Sequence, residues 1–195
     1  MGMARSLTDP CVFFTLDVNK KLKVFMSVTV DDCAVTGLPK EIETFMKGLE
    51  GRFKITRGGI LKRHLGVDYE WGVNENGKSY FKATMDKKVN ALVKDYESFI
   101  GKEFKIYETP GKPHEYLVKS EEDHKPFNID KYRSLVGQAM FFTTKLCPKT
   151  GTATRALSGF MSNPNKTHWA ALGRLIGYFK GMEVKGILYL EPESY

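Results

Sequence analysis

The chain has 195 residues, of which 42% are hydrophobic, and a formal net charge of +7. That is enough apolar material to bury a core in one large domain or two small ones, and it excludes a disordered tail. No apolar run approaches the roughly 18 residues of a membrane span, and the N-terminus lacks the uninterrupted apolar region of a signal peptide, so an intracellular protein, cytoplasmic or nuclear and not secreted, is expected.

Residues 11 to 16 and 22 to 30 flank the polar stretch Asp17-Val18-Asn19-Lys20-Lys21, which predicts a hairpin. The second run leads into Asp31-Asp32, after which Cys33-Ala34-Val35-Thr36 resumes the strand pattern. Three adjacent antiparallel strands are expected, with a pair of carboxylates at one end. Such a pair suits a hard divalent cation such as Mg²⁺, which takes oxygen ligands and shares them with substrate phosphates. An ordinary turn is the plain alternative, because Asp is among the commonest turn residues.

Leu38-Pro39 opens a helix whose apolar residues Ile42, Phe45, Met46 and Leu49 keep helical spacing, with Gly51 as its stop. Phe53 to Ile60 is short and basic with a Gly58-Gly59 break, and the segment ending at Trp71 alternates like a strand. Its partner is Ser79 to Ala83, joined through Asn76-Gly77, the preferred pair for a tight turn. From Thr84 a second helix is predicted, with Met85, Val89, Leu92, Val93, Tyr96 and Ile100 on one face and Gly101 as its stop. Residues 102 to 129, with Pro110, Pro113, Pro126 and the Glu121-Glu122-Asp123 cluster, read as a linker or loop.

Asp130 can cap a helix carrying Tyr132, Leu135, Val136, Ala139, Met140 and Thr143 on one face. Further helices are predicted from near Thr152 (Ala153, Ala156, Leu157, Phe160, Met161) and near Thr167 (Trp169, Leu172, Leu175, Ile176, Phe179), and a strand over Gly186-Ile187-Leu188-Tyr189-Leu190. The stripes are core positions. Cys11, Cys33 and Cys147 are odd in number and far apart, as expected of buried reduced thiols, and His64, His114, His124 and His168 form no zinc pattern. Met1-Gly2-Met3-Ala4-Arg5-Ser6 fits the myristoylation consensus, a short pattern that matches often by chance.

Charge is unevenly placed. Of 30 basic and 23 acidic residues, eight basic ones (133, 145, 149, 155, 166, 174, 180, 185) fall between Arg133 and Lys185 against one acid, Glu183, which leaves 22 of each sign elsewhere. A basic surplus confined to that region is either a surface that meets polyanions or a solvated basic face.

Several separated segments resemble one family, the reverse transcriptase of copia-type LTR retrotransposons. Asp9-Pro10-Cys11-Val12-Phe13 is similar to the family's Asp-Pro-Cys-Val/Leu-Phe, and Thr29-Val30-Asp31-Asp32 sits where the family has Tyr-Val-Asp-Asp. His64-Leu65-Gly66-Val67 resembles its Phe-Leu-Gly-Ile at the primer-grip hairpin. Tyr132 through Val136-Gly137 to Met140, Leu157-Ser158-Gly159-Phe160-Met161, Pro164, His168-Trp169 and Tyr178-Phe179-Lys180-Gly181 follow its C-terminal pattern.

The resemblance covers nearly the whole chain and implies an α+β fold: a small antiparallel palm sheet with packed helices, then a hairpin and a mainly helical thumb and connection. The implied domains are 1–83 for the partial palm with both hairpins, 84–129 for a thumb-like helix and Pro-containing linker, and 130–195 for a basic thumb and connection. It implies RNA-directed DNA polymerisation by two Mg²⁺ ions, with Asp31 and Asp32 as catalytic and metal-binding carboxylates. Contacts to an RNA or DNA primer-template are implied for Lys62, Arg63, Leu65 and Gly66 at the grip and for Arg133, Lys145, Arg155, Arg174 and Lys180 in the basic region. The family's upstream catalytic aspartate strand, its fingers and its ribonuclease H domain have no counterpart here. Position 29 is Thr instead of Tyr, and Cys147-Pro148-Lys149 replaces the family's Arg-Pro-Asp. The chain alone is therefore expected to be inactive, with Mg²⁺ held weakly and the missing polymerase part or self-association as further partners; a non-catalytic nucleic-acid-binding or assembly fragment, domesticated or relic, is the alternative.

Overall fold

The two β-branched runs around Asp31-Asp32 pair as strands in the computed structural model, which describes residues 2–113, 116–118 and 128–191. His114, His124, the Glu121-Glu122-Asp123 cluster and Pro126, singled out above, lie outside the described residues. The fold is α+β, with two small antiparallel sheets and five α-helices among the described residues. The chain divides into two units, Met1–Leu65 and Gly66–Tyr195, and the hairpin of residues 67–84 falls in the second. None of the described helices is long and apolar enough to cross a membrane.

In the first unit β1 (Ala4–Arg5), β2 (Val12–Leu16), β3 (Leu22–Thr29) and β4 (Asp32–Gly37) lie in sequential order, each antiparallel to the next. The β2–β3 turn is held by Asp17, whose Oδ1 accepts the backbone N–H of Asn19 and of Lys21, both at 2.8 Å. The register places Phe13, Met26 and Val35 side by side. With Val24 and Val28 they form the face covered by α1 (Pro39–Glu50), through Phe45, Met46 and Leu49. Proline stands in the first turn of α1, where a missing N–H costs nothing. Arg57 ties the strand-free segment after α1 back to it, bonding Glu43 at 2.6 Å and Glu50 at 2.6 Å. Only Val24, Met26 and Phe45 are buried among this unit's described hydrophobic residues, while Leu7, Leu16, Leu22, Val30, Phe53 and Ile60 stay exposed.

The short β5 (Arg63–His64) closes the first unit. In the second, β6 (Val67–Val73), β7 (Ser79–Thr84) and β8 (Gly186–Leu190) pair antiparallel with β7 in the middle. The β6–β7 connection is not the two-residue turn that Asn76-Gly77 suggested. Asn74 N–H donates to Lys78 O and Gly77 N–H to Asn74 O, leaving a three-residue loop that ends on Gly77 at φ 74°. The left-handed residue that completes such a loop is best supplied by glycine.

Helices α2 (Asp86–Ile100), α3 (Ile129–Leu146), α4 (Gly151–Ser158) and α5 (Lys166–Gly181) carry the larger core, which includes Leu92, Tyr132, Leu135, Phe142, Leu175 and Phe179. The stop at Gly101 is as expected, with φ 69°. The cap of α3 is Asn128, whose side chain accepts Lys131 N–H, while Asp130 sits inside the first turn. At α5 a reciprocal cap forms: Asn165 Oδ1 accepts His168 N–H and His168 Nδ1 accepts Asn165 N–H, both at 3.0 Å. Phe160 and Met161 fall beyond the end of α4. Cys147 is buried as expected, but Cys11 and Cys33 are exposed; both flank Val28, at the end of the sheet next to the acidic tip.

Candidate functional site

The acidic tip is built by strand pairing. Thr29 faces Asp32 as the last pair of β3 and β4, so Val30-Asp31 is a two-residue loop. Val30 adopts φ 51° and is 89% exposed. A β-branched side chain in the left-handed region is a steric outlier, and residues held in such regions concentrate at functional sites. Alternation along the strands puts Asp32, Ala34, Phe25 and Ser27 on the face opposite α1. Asp31 and Asp32 are both exposed. Among the described residues, no third His, Cys, Asp or Glu joins them in a group that could hold an ion. Two adjacent carboxylates fit Mg²⁺ only as shared ligands, since that ion is usually bound through one or two carboxylates together with substrate phosphates and water.

At the grip-like segment Lys62 and Arg63 are exposed, and Leu65 and Gly66 take consecutive positive φ values of 49° and 81°. Leu65 is the second apolar, exposed residue held in the left-handed region. Neither Val30 nor Leu65 is marked by residue type; the signal available in sequence is the tight spacing between opposed strand runs, which forces a positive φ on whatever residue stands there.

The basic residues of the C-terminal region separate into two kinds. Lys145 and Arg155 are exposed. Arg133 Nε donates to Met161 O at 2.9 Å. Its guanidinium also stands 3.9 Å from Asp130, and the residue lines a groove of about 540 Å³ between α2 and α3, together with Lys88, Gln138 and Phe141. The Lys88 ammonium stands 4.3 Å from the centroid of the Phe141 ring, a cation–π geometry. Arg174 is turned inward: its guanidinium donates to Thr109 Oγ1 at 2.7 Å and lies 4.8 Å from the Tyr107 ring. Lys180 is spent entirely within the chain, on Glu103 at 2.7 Å, Glu97 at 2.9 Å and Phe104 O at 2.9 Å. The bond from Phe104 N–H and the Lys180 ammonium hold the Glu97 carboxyl below its ordinary value, and Glu103 and Glu97 raise Lys180.

With this geometry in view, the chain is similar to the retrovirus-related Pol polyprotein from transposon TNT 1-94 of Nicotiana tabacum, 26% identical over 184 residues. The similar region covers 91% of this chain and 13% of that polyprotein. The similarity supports a retrotransposon-derived protein. No family model matches the chain, and no solved structure matches it.

Proposed function

We propose that this chain is the second half of the palm, the thumb and the connection of a copia-type reverse transcriptase, with Asp31 and Asp32 as two of the carboxylates that would hold Mg²⁺ in RNA-directed DNA synthesis. The observation that carries the reading is the tip itself: adjacent exposed carboxylates on a two-residue loop whose β-branched Val30 is held at φ 51°. The similarity to a retrovirus-related Pol polyprotein supports it. When bound, Mg²⁺ would neutralise phosphate charge; the chain's own part is to hold the two carboxylates on a rigid, strained turn. The residues we assign to primer-template contact are Lys62, Arg63 and Leu65 in the first unit and, in the second, Gly66, Arg133, Lys145 and Arg155. Arg174 and Lys180 support that region from within, because their charges are already engaged.

The experiment is primer extension on an RNA template with Mg²⁺, run beside a Mn²⁺ titration followed by NMR line broadening. Extension is expected to be absent from the chain alone, and broadening should centre on residues 29–33 and vanish in Asp31→Asn with Asp32→Asn. Broadening that survives the double substitution sinks the metal assignment, and robust extension by the isolated chain sinks the claim of incompleteness. A second reading, a non-catalytic nucleic-acid-binding or assembly fragment, is favoured by the lack of a third ligand beside the pair among the described residues. It expects salt-dependent duplex binding that survives the same double substitution.

A further inference from the structure

Among the described residues strand β8 is the edge of its sheet, and the bonding pattern shows what that edge presents. Met85 N–H donates to Lys185 O, and Glu191 N–H donates to Ser79 O, both at 2.9 Å. In the register that pairs Phe81 with Tyr189 and Ala83 with Ile187, those two bonds fix the alternation. Residues 185, 187, 189 and 191 direct their backbone groups to β7, and Gly186, Leu188 and Leu190 direct theirs to the open side. Edges of this kind are normally blunted by charge, proline or a bulge. The five residues of β8, Gly-Ile-Leu-Tyr-Leu, contain none of these, and Leu188, Tyr189 and Leu190 are 49%, 51% and 57% exposed.

The edge is complementary to itself. Antiparallel pairing about a two-fold axis at Leu188 sets Leu188 against its own copy and Gly186 against Leu190, so all three outward-facing residues exchange backbone bonds. Ile187 then meets Tyr189, which prolongs the row of rings Trp71, Phe81 and Tyr189 that crosses the sheet at centroid spacings of 4.3 and 5.4 Å. The same axis places Lys185 opposite Glu191 at both ends of the pairing. Lys185 is buried with its Nζ donating to Met182 O, and Glu191 accepts Ser79 N–H, so both charges are engaged within their own copy and the pairing rests on the backbone bonds and the Ile187–Tyr189 contact.

We propose that β8 is a docking strand for a second copy of this chain, paired antiparallel about Leu188 into a continuous sheet. The proposal concerns association and stands independently of the polymerase reading. One five-residue strand covers less than the roughly 1,200 Å² of a stable interface, so the dimer is a reversible one that forms at micromolar concentrations.

Sedimentation equilibrium of the full chain between about 5 and about 300 µM, a range that brackets a micromolar Kd, is expected to show the mass rise from 22.1 kDa toward twice that value. Leu188→Lys and Leu188→Pro should both stay monomeric. The second removes only an outward N–H, which proline tolerates at an edge; if it perturbs the circular dichroism spectrum, the lysine variant decides. Leu188→Cys with Cys11→Ser and Cys33→Ser should form an intermolecular disulfide under mild oxidant, because directly opposed residues of a hydrogen-bonded pair lie about 5.5 Å apart at Cα. Val73→Cys in the same background should not. A monomer throughout the range overturns the proposal and leaves the edge to a strand from another chain. Association that Leu188→Lys leaves unchanged overturns it in favour of another surface, such as the exposed apolar residues of the first unit.

Discussion

Replacing Gly177 by alanine should destabilise the protein, although the same change in an open helix stabilises it. An ideal Cβ at Gly177 would stand 2.5 Å from Lys105 O and 2.6 Å from Tyr107 Cδ2, and the first of these is backbone. The extended segment 104–107 lies against α5, with Tyr107 N–H donating to Gly177 O at 3.3 Å. A methyl group must push that segment away, an overpacking cost of about 1–3 kcal/mol, against a helix-propensity gain of about 1 kcal/mol. Because the obstacle is backbone, the net loss should be about 1–2 kcal/mol, or a fall in Tm of about 2–8 °C for a chain of this size. Gly137 on α3 is the control, since nothing lies within 4 Å of a Cβ built there. Gly137→Ala should raise stability by about 0.8–1 kcal/mol. Thermal melts followed at the helical ellipticity minimum measure both. Equal or higher Tm for Gly177→Ala would refute the packing assigned to α5, and a fall for Gly137→Ala would refute the open surface assigned to that position of α3.

Burial holds His168 below its ordinary value, partly opposed by its bond with Val118 O, and its Nδ1 accepts a backbone N–H. A folded pKa below the unfolded one means that the unfolded chain takes up the proton first. The stability is therefore complete above about pH 6.5 and declines as pH falls below it; urea midpoints at pH 7.5 and 5.5 should show this, with a smaller difference in His168→Gln. Thr143 bonds both Thr150 at 2.9 Å and Thr154 at 3.0 Å in a buried cluster, so Thr143→Val should cost about 1–3 kcal/mol by stranding hydroxyls, read from denaturant midpoints. A chromogenic disulfide reagent should titrate Cys11 and Cys33 in the native protein and reach Cys147 only after unfolding, since burial both covers that thiol and raises its pKa.

How far the sequence was legible depended on the range of the forces involved. The stripe Val89, Leu92, Val93 and Tyr96 with Gly101 behind it marks α2 because periodicity and a left-handed cap act within a few residues of the chain. Asn74, not Asn76, organises the β6–β7 loop, and Asn128, not Asp130, caps α3. In both places two polar residues compete within a short span, and backbone direction chooses between them. Position could not distinguish Lys180 from Lys145, since the carboxylates that engage Lys180 stand at residues 97 and 103.

By itself the sequence determined the elements, the acidic tip between two strands and the basic bias of the C-terminal region, because alternation, helical spacing and charge are local or additive properties. Tertiary structure alone decided where the chain divides, that a single helix covers one face of the first sheet, which cations are engaged within the chain, and that β8 ends its sheet, among the described residues, with an uncharged strand. Each of these depends on which distant segments come together. That is settled by shape, burial and hydrogen-bond geometry among residues far apart in the chain.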